Sequence, residues 1–263
     1  MSEWRGVAQG CAVIVGVLLA GLAGAGIWIA VYMQGDPQPD VAKAARSHTA
    51  RAADLLVTAH VDQQLAQLRT ALPWATHLGT TVADICETYP ANTGFTRRTW
   101  TPVMCTRTGT AYLAFDGDFR EHLAQLDTAL AAEGWKPTNN AGDQPGLVAD
   151  LDYTHRPPGD ATAAELAEAA ARPNVATVRY TLPIPSTFAV PPGAGGGPFP
   201  IGTVEVAQAP HLPTIDDGTA AHDLTLETRH FVDWQPYSHT QLSTAYPAHG
   251  AILAISVRLP YNT

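Results

Sequence analysis

The stretch DFREHLAQLDTALAAEGW, residues 118–135, is the best-specified element of the chain and predicts a helix packed on a core. Phe119, Leu123, Leu126 and Leu130 recur at helical spacing and so line one face. Asp118 and Glu121 match a capping box, in which each side chain reaches the other residue's free backbone amide. Gly134 suits a left-handed C-terminal stop, after which Trp135 is expected to fold back onto the core. Asp116, Asp118 and Glu121 together lack the twelve-residue ligand pattern of a calcium loop, so capping is the better account.

Outward from this helix the pattern changes to strands. Residues 100–115, rich in Thr, Val and aromatic side chains, read as two short strands hinged at Gly109, with Cys105 in the first. Residues 74–98, with Cys86, Pro90 and Gly94, read as loop. Downstream, residues 147–153 suggest a strand, and Thr162 with Glu165 offers a second capping box, for a short Ala-rich helix that Pro173 ends. Val178, Tyr180 and Leu182 alternate with Thr177, Arg179 and Thr181, the signature of a half-buried strand. The Pro- and Gly-rich residues 189–200 read as a flexible surface loop, and residues 204–207, 224–232 and 252–259 as further strands. The last of these places Leu253, Ile255, Val257 and Leu259 on one face.

Upstream, residues 40–72 read as a helical stretch that Asp40 can cap and Pro73 ends, with Val61, Leu65, Leu68 and Leu72 on one face. Strands interspersed with single helices, without regular alternation, predict an α+β fold. In it an antiparallel sheet carries amphipathic helices on one face, and a ferredoxin-like arrangement is one candidate.

The chain has 263 residues, 46% of them hydrophobic, enough to bury a core of its own. Its formal charge of −9 would repel phosphate backbones, which disfavours nucleic acid as a partner. Residues 10–33 are 24 consecutive positions without a charge, long enough as a helix to cross a bilayer. Trp28 and Tyr32 lie near the far end, where amphipathic rings favour the interface. Ala23, Gly24 and Ala25 resemble a signal-peptide cleavage site, but the apolar run continues to Met33, longer than a signal h-region, which favours a retained anchor. Gly16, Ala20 and Gly24 form a small-residue face through which two such helices could pair.

Arg5 precedes the run, whereas Lys43, Arg46 and Arg51 follow it, so positive charges do not favour a cytoplasmic N-terminus. Cysteine usage tips the orientation. Beyond Cys11 only Cys86 and Cys105 remain, an even pair that outside the cytoplasm is expected to form a structural disulfide. The expected layout is a short cytoplasmic N-terminus (1–9), a transmembrane helix (10–33), a juxtamembrane linker and helix (34–72) and an extracytoplasmic α+β domain (73–263).

Cys105-Thr106-Arg107-Thr108, then Phe115-Asp116-Gly117-Asp118, then the helix ending Gly134-Trp135 resemble uncharacterised membrane-anchored envelope proteins of actinobacteria. The likeness covers roughly residues 100–136 and the anchor-then-domain layout. It implies a location at the cell membrane and no activity, so no functional residue is carried over.

A search for chemistry returns little. Gly193, Gly195, Gly196 and Gly197 precede Pro198, Phe199 and Pro200, not the Gly-Lys-Ser/Thr of a phosphate loop. His230, Asp233 and His239 could in principle surround a zinc ion, but the spacing lacks a compact ligand pair. No serine sits in a Gly-x-Ser-x-Gly elbow. Asp150 and Asp152 would share one strand face as a carboxylate pair, and Trp100, Trp135 and Trp234 could line a groove, with core packing the default. No catalytic residue, cofactor or metal ligand is therefore assigned. The leading expectation is a single-pass membrane protein with an extracytoplasmic binding or interaction domain. Its partners would be the lipid bilayer, and an envelope protein or a second copy. The alternative is a membrane-tethered envelope hydrolase using the C-terminal His and Asp residues.

Overall fold

The structure, a computed structural model, describes residues 35–92, 98–138, 145–183, 201–213, 227–237, 239–245 and 248–262. The uncharged run 10–33 with its small-residue face, and the loop at 189–200, lie outside the described residues. Among the described residues no helix is long and apolar enough to cross a membrane. The described residues fall into two compact units, one of residues 35–40, 88–92 and 98–102, the other of the remaining described residues from 41 onward.

The larger unit is α+β, as expected. Its elements run α1 (Val41–Ala45), α2 (His48–Ala71), β1 (Thr76–Glu87), β2 (Met104–Phe115), α3 (Phe119–Ala132) and β3 (Lys136–Pro137). There follow α4 (Leu147–Thr154), α5 (Ala163–Ala171), β4 (Val175–Thr181), β5 (Ile201–Gln208), β6 (Arg229–Gln235), α6 (His239–Ser243) and β7 (Ala251–Asn262). The strands form one seven-stranded sheet in the order β3-β4-β5-β7-β2-β1-β6, with every pair antiparallel. This is not the β-α-β-β-α-β order of the ferredoxin-like candidate, because β1 and β2 follow each other as a hairpin.

The main core lies between one sheet face and helices α2, α3 and α4. Val57, Val61, Leu65 and Leu68 of α2 meet Leu113, Leu253, Ile255 and Val257 of the central strands. Burying each such side chain stabilises by about 1.5–3 kcal/mol and offsets part of the entropy cost of ordering α2. The opposite face is also covered, a correction to helices on one face only. There Leu242 of α6 packs with Tyr112, Ala114, Ile252 and Ala254.

Several local expectations hold. Asp118 caps α3 by accepting from the Glu121 amide, Gly134 stops it at φ +80, and the Trp135 amide donates back to the Leu130 carbonyl. Only half of the expected box forms there, since the Glu121 carboxylate takes Gln125 Nε2 instead. The Thr162–Glu165 box forms in full at α5.

Four expectations are corrected. The helical stretch 40–72 breaks at Arg46 and Ser47, because the Ser47 hydroxyl accepts from the Ala50 amide and starts α2 afresh. Residues 76–87, read as loop, form the twelve-residue strand β1. Residues 104–115 are one unbroken strand rather than two hinged at Gly109. Gly109 serves close approach instead, since a Cβ there would lie 2.6 Å from Val61 Cγ1 on α2. Residues 147–154 are helix, not strand, because the Asp127 carboxylate of α3 accepts from the amides of Leu147 (2.9 Å) and Val148 (3.2 Å) and so caps the turn.

The described residues of the smaller unit form a strand-like clasp. Tyr89 and Thr101 exchange hydrogen bonds, Pro90 bridges Trp100, and the Trp100 indole donates to the Asp36 carbonyl at 3.1 Å.

Trp135 packs directly over Gly202 of β5, edge-on to Tyr180, and donates its indole N–H to Gln64 of α2 at 3.0 Å. A Cβ at position 202 would lie 2.6 Å from Trp135 Cε3. Gly202→Ala is therefore expected to lose about 1–3 kcal/mol through overpacking. Urea unfolding checks this as a lower midpoint at unchanged slope.

Candidate functional site

The densest concentration of buried charge in the larger unit lies between α2 and the sheet. Register explains it: Asp84 of β1 faces Arg107 of β2 on one side and Asp233 of β6 on the other, so the three side chains form one cross-strand row. Arg107 Nη1 lies 3.3 Å from Asp84 Oδ2, and Nη2 lies 3.4 Å from Asp233 Oδ2. Asp54 comes down from α2 to 3.6 Å from Nη1, and Thr58 donates to that carboxylate at 3.1 Å. From β7 the Tyr261 hydroxyl donates to Asp84 Oδ1 at 2.8 Å.

Exposure grades across this cluster. The Asp84 side chain is 0% exposed and that of Arg107 8%, whereas Asp54 and Asp233 reach 27% and 34%. Burial pushes the Asp84 carboxyl up, Asp54 adds repulsion, and the Tyr261 hydroxyl and Arg107 pull the other way; the outcome is about 6. Burial, together with the Asp84 carboxylate, likewise pushes the Tyr261 phenol up. Arg107 Nε is buried without a hydrogen-bond partner, so the guanidinium is held by its two outer nitrogens alone. The inner carboxylate meets no solvent, so this arrangement positions elements and responds to acidity rather than presenting a reacting group to substrate.

A second constellation lies where β2 ends. Asp116 accepts from the Gly250 amide at 2.9 Å, and its other oxygen lies 3.0 Å from His249 Nδ1. Those two contacts, His249 first, hold the Asp116 carboxyl below the usual range. His122 of α3 reaches the Asp116 carbonyl at 2.9 Å and stacks on Trp74 at 4.3 Å between ring centroids. The exposed Asp116 carboxylate thus clasps the residues that lead into β7.

The residues singled out by sequence scatter. Asp233 belongs to the Arg107 cluster, and His230 sits opposite Cys86 on β6. Among the described residues no group of three or more His, Cys, Asp or Glu side chains is placed to hold a metal ion. Asp150 and Asp152 point apart from one helix, a correction to the carboxylate pair: Asp150 accepts from the Thr177 amide, and Asp152 forms a two-pronged ion pair with Arg120. Trp135 is core, Trp100 belongs to the clasp of the smaller unit, and Trp234 packs beside Phe231 on β6. Cys86 and Cys105 face each other across β1 and β2 and are joined by a disulfide.

Asp84, Arg107, Tyr261 and the Asp116–His249 couple were not legible from spacing. Asp84 falls in a stretch that reads as loop, and its partners stand on other elements, so no local pattern pointed to the cluster.

Because the folded Asp84 carboxyl titrates near 6 and an unfolded one near 3.8, the folded state keeps a proton that the unfolded state has lost between those values. This contribution to stability is complete below about pH 4 and is lost as pH rises through 6, amounting to roughly 2–3 kcal/mol. Thermal or urea unfolding of the parent chain and of Asp84→Asn across pH 4–7 should show that slope in their difference. A difference flat with pH would contradict it. No family model, curated protein or solved structure matches the chain.

Proposed function

We infer that the chain is a single-pass membrane protein that holds an α+β binding or interaction domain outside the cytoplasm. The observation that carries this reading is the cysteine arrangement. Cys86 and Cys105 are cross-strand neighbours joined by a disulfide, and the remaining cysteine, Cys11, falls in the uncharged run 10–33. A disulfide on a strand pair persists in an oxidising compartment, and a run of that length suits a bilayer. The resemblance to actinobacterial envelope proteins agrees with this placement, and the partner is then an envelope component or a second copy of the chain.

The hydrolase alternative draws no support from the site, since Asp233 is committed to Arg107. Among the described residues the Arg107 cluster is buried at its centre, and the exposed Asp116 carboxylate is taken up by His249 and the Gly250 amide.

Thiol labelling tests the placement. After denaturation without reductant, one thiol per chain, Cys11, should take a maleimide–polyethylene glycol tag, and reductant should release two more. Three free thiols in freshly lysed cells, or a mature product in the culture supernatant trimmed beyond residue 33, would overturn it. Replacing both Cys86 and Cys105 by Ser should cost about 3 kcal/mol, because the bond closes a loop of 19 residues' separation.

A further inference from the structure

Helix α2 buries one face, but its opposite face is not the polar surface that a solvated helix presents. Leu55 is 71% exposed and Leu56 59%, and they stand among exposed Ala52 and Ala59 on the outer side of the first three turns. Arg51 lies one turn before Leu55 on the same stripe, and Arg46 is exposed just ahead of the helix.

Charge is distributed unevenly to match. In a chain of formal charge −9, residues 41–61 hold Lys43, Arg46 and Arg51 against the carboxylate of Asp54, with exposed Asp40 and Asp62 just beyond the two ends of this segment. The Asp54 carboxylate turns inward to Arg107, so it does not offset the outer cations. The first turn of α2 has no acidic residue, which leaves cations beside the positive end of the helix dipole, against the usual preference. An anionic surface over this face would compensate both the dipole and the arginines. Exposed leucines framed by arginines are also the side-chain set of helices that lie in a lipid interface.

Chain length supplies the reason for proximity. Residues 34–40 link the uncharged run to α1, and seven residues cannot reach further than about 25 Å. We propose that the outer face of the first half of α2, formed by Arg51, Leu55 and Leu56 with Arg46 beside it, docks on the anionic surface of the membrane that holds the N-terminal run. This rests on the anchored reading above, and it names the bilayer itself as a partner of the folded domain. Leucine side chains enter the headgroup boundary while the guanidinium groups pair with lipid phosphates.

The test uses the full chain with Cys11→Ser, reconstituted into vesicles of phosphatidylcholine alone or mixed with phosphatidylglycerol. A bimane label is placed through Leu55→Cys, or through Tyr153→Cys as a control on α4, where Tyr153 is 58% exposed. In the mixed vesicles, quenching by aqueous acrylamide at position 55 should fall about threefold or more relative to phosphatidylcholine, with position 153 unchanged. Arg46→Gln and Arg51→Gln should each lower the docked-to-free ratio about fivefold. A label at 55 that stays as open as the one at 153 in both lipids overturns the docking. So does protection that follows protein density in phosphatidylcholine, which would mean a second copy covers the face. Protein that fails to float with the vesicles overturns the anchor and the docking together, whereas floating protein with an open position 55 overturns the docking alone.

Discussion

The salt link between Arg107 and Asp84 is the point at which five elements of the larger unit depend on one another. Two opposite charges taken out of water gain little net stability over an apolar pair, yet removing either one strands the other. Here the constraint is multiplied by the neighbours. Asp54 brings α2 to the link, Asp233 brings β6, and Tyr261 brings β7, so five elements must reach their places before the two charges are satisfied. Slipping β1 by one residue would turn Asp84 to the other face of the sheet and Arg107 would lose its innermost partner. The disulfide holds the same register two residues further along the same two strands. Covalent and ionic bonds therefore specify a single alignment of β1 on β2.

What could be read from sequence follows from how local each signal is. Helix α3 was legible because its caps, its apolar stripe and its glycine stop all lie within eighteen consecutive residues. Strand β4 was legible because its alternation is clean, with Ala176, Val178 and Tyr180 buried between exposed neighbours. Strand β1 was not, since its inward positions include Asp84 and Cys86, and a carboxylate at a core position breaks the hydrophobic pattern. Its partners Arg107 and Tyr261 stand on other strands, beyond the reach of any window. Helix α4 failed for the same reason: the group that caps it, Asp127, belongs to α3. Gly109 was read as a hinge because a glycine inside a strand has two meanings, and only the approach of Val61 decides between them.

The two faces of the sheet are built to different standards. The face under α2, α3 and α4 carries the large apolar core together with the buried charges. The other carries a thin layer where Leu242 meets Tyr112 and Ile252, with Tyr237 stacked on Tyr112 at 5.3 Å and hydrogen-bonded to the Leu78 carbonyl. Helix α2 thus does two jobs with opposite sides. Its inner side closes the main core, and its outer side keeps leucines and arginines in view of whatever lies beyond the domain.

Strand β7 joins the two halves of the sheet, pairing with β2 along one edge and β5 along the other. It follows both of them in sequence, so during translation each half must wait as a separate, unzipped fragment with a bare row of amides and carbonyls. The keystone arrives after the stones on either side of it. That delay is the stage at which strand exchange between chains competes most strongly with correct closure.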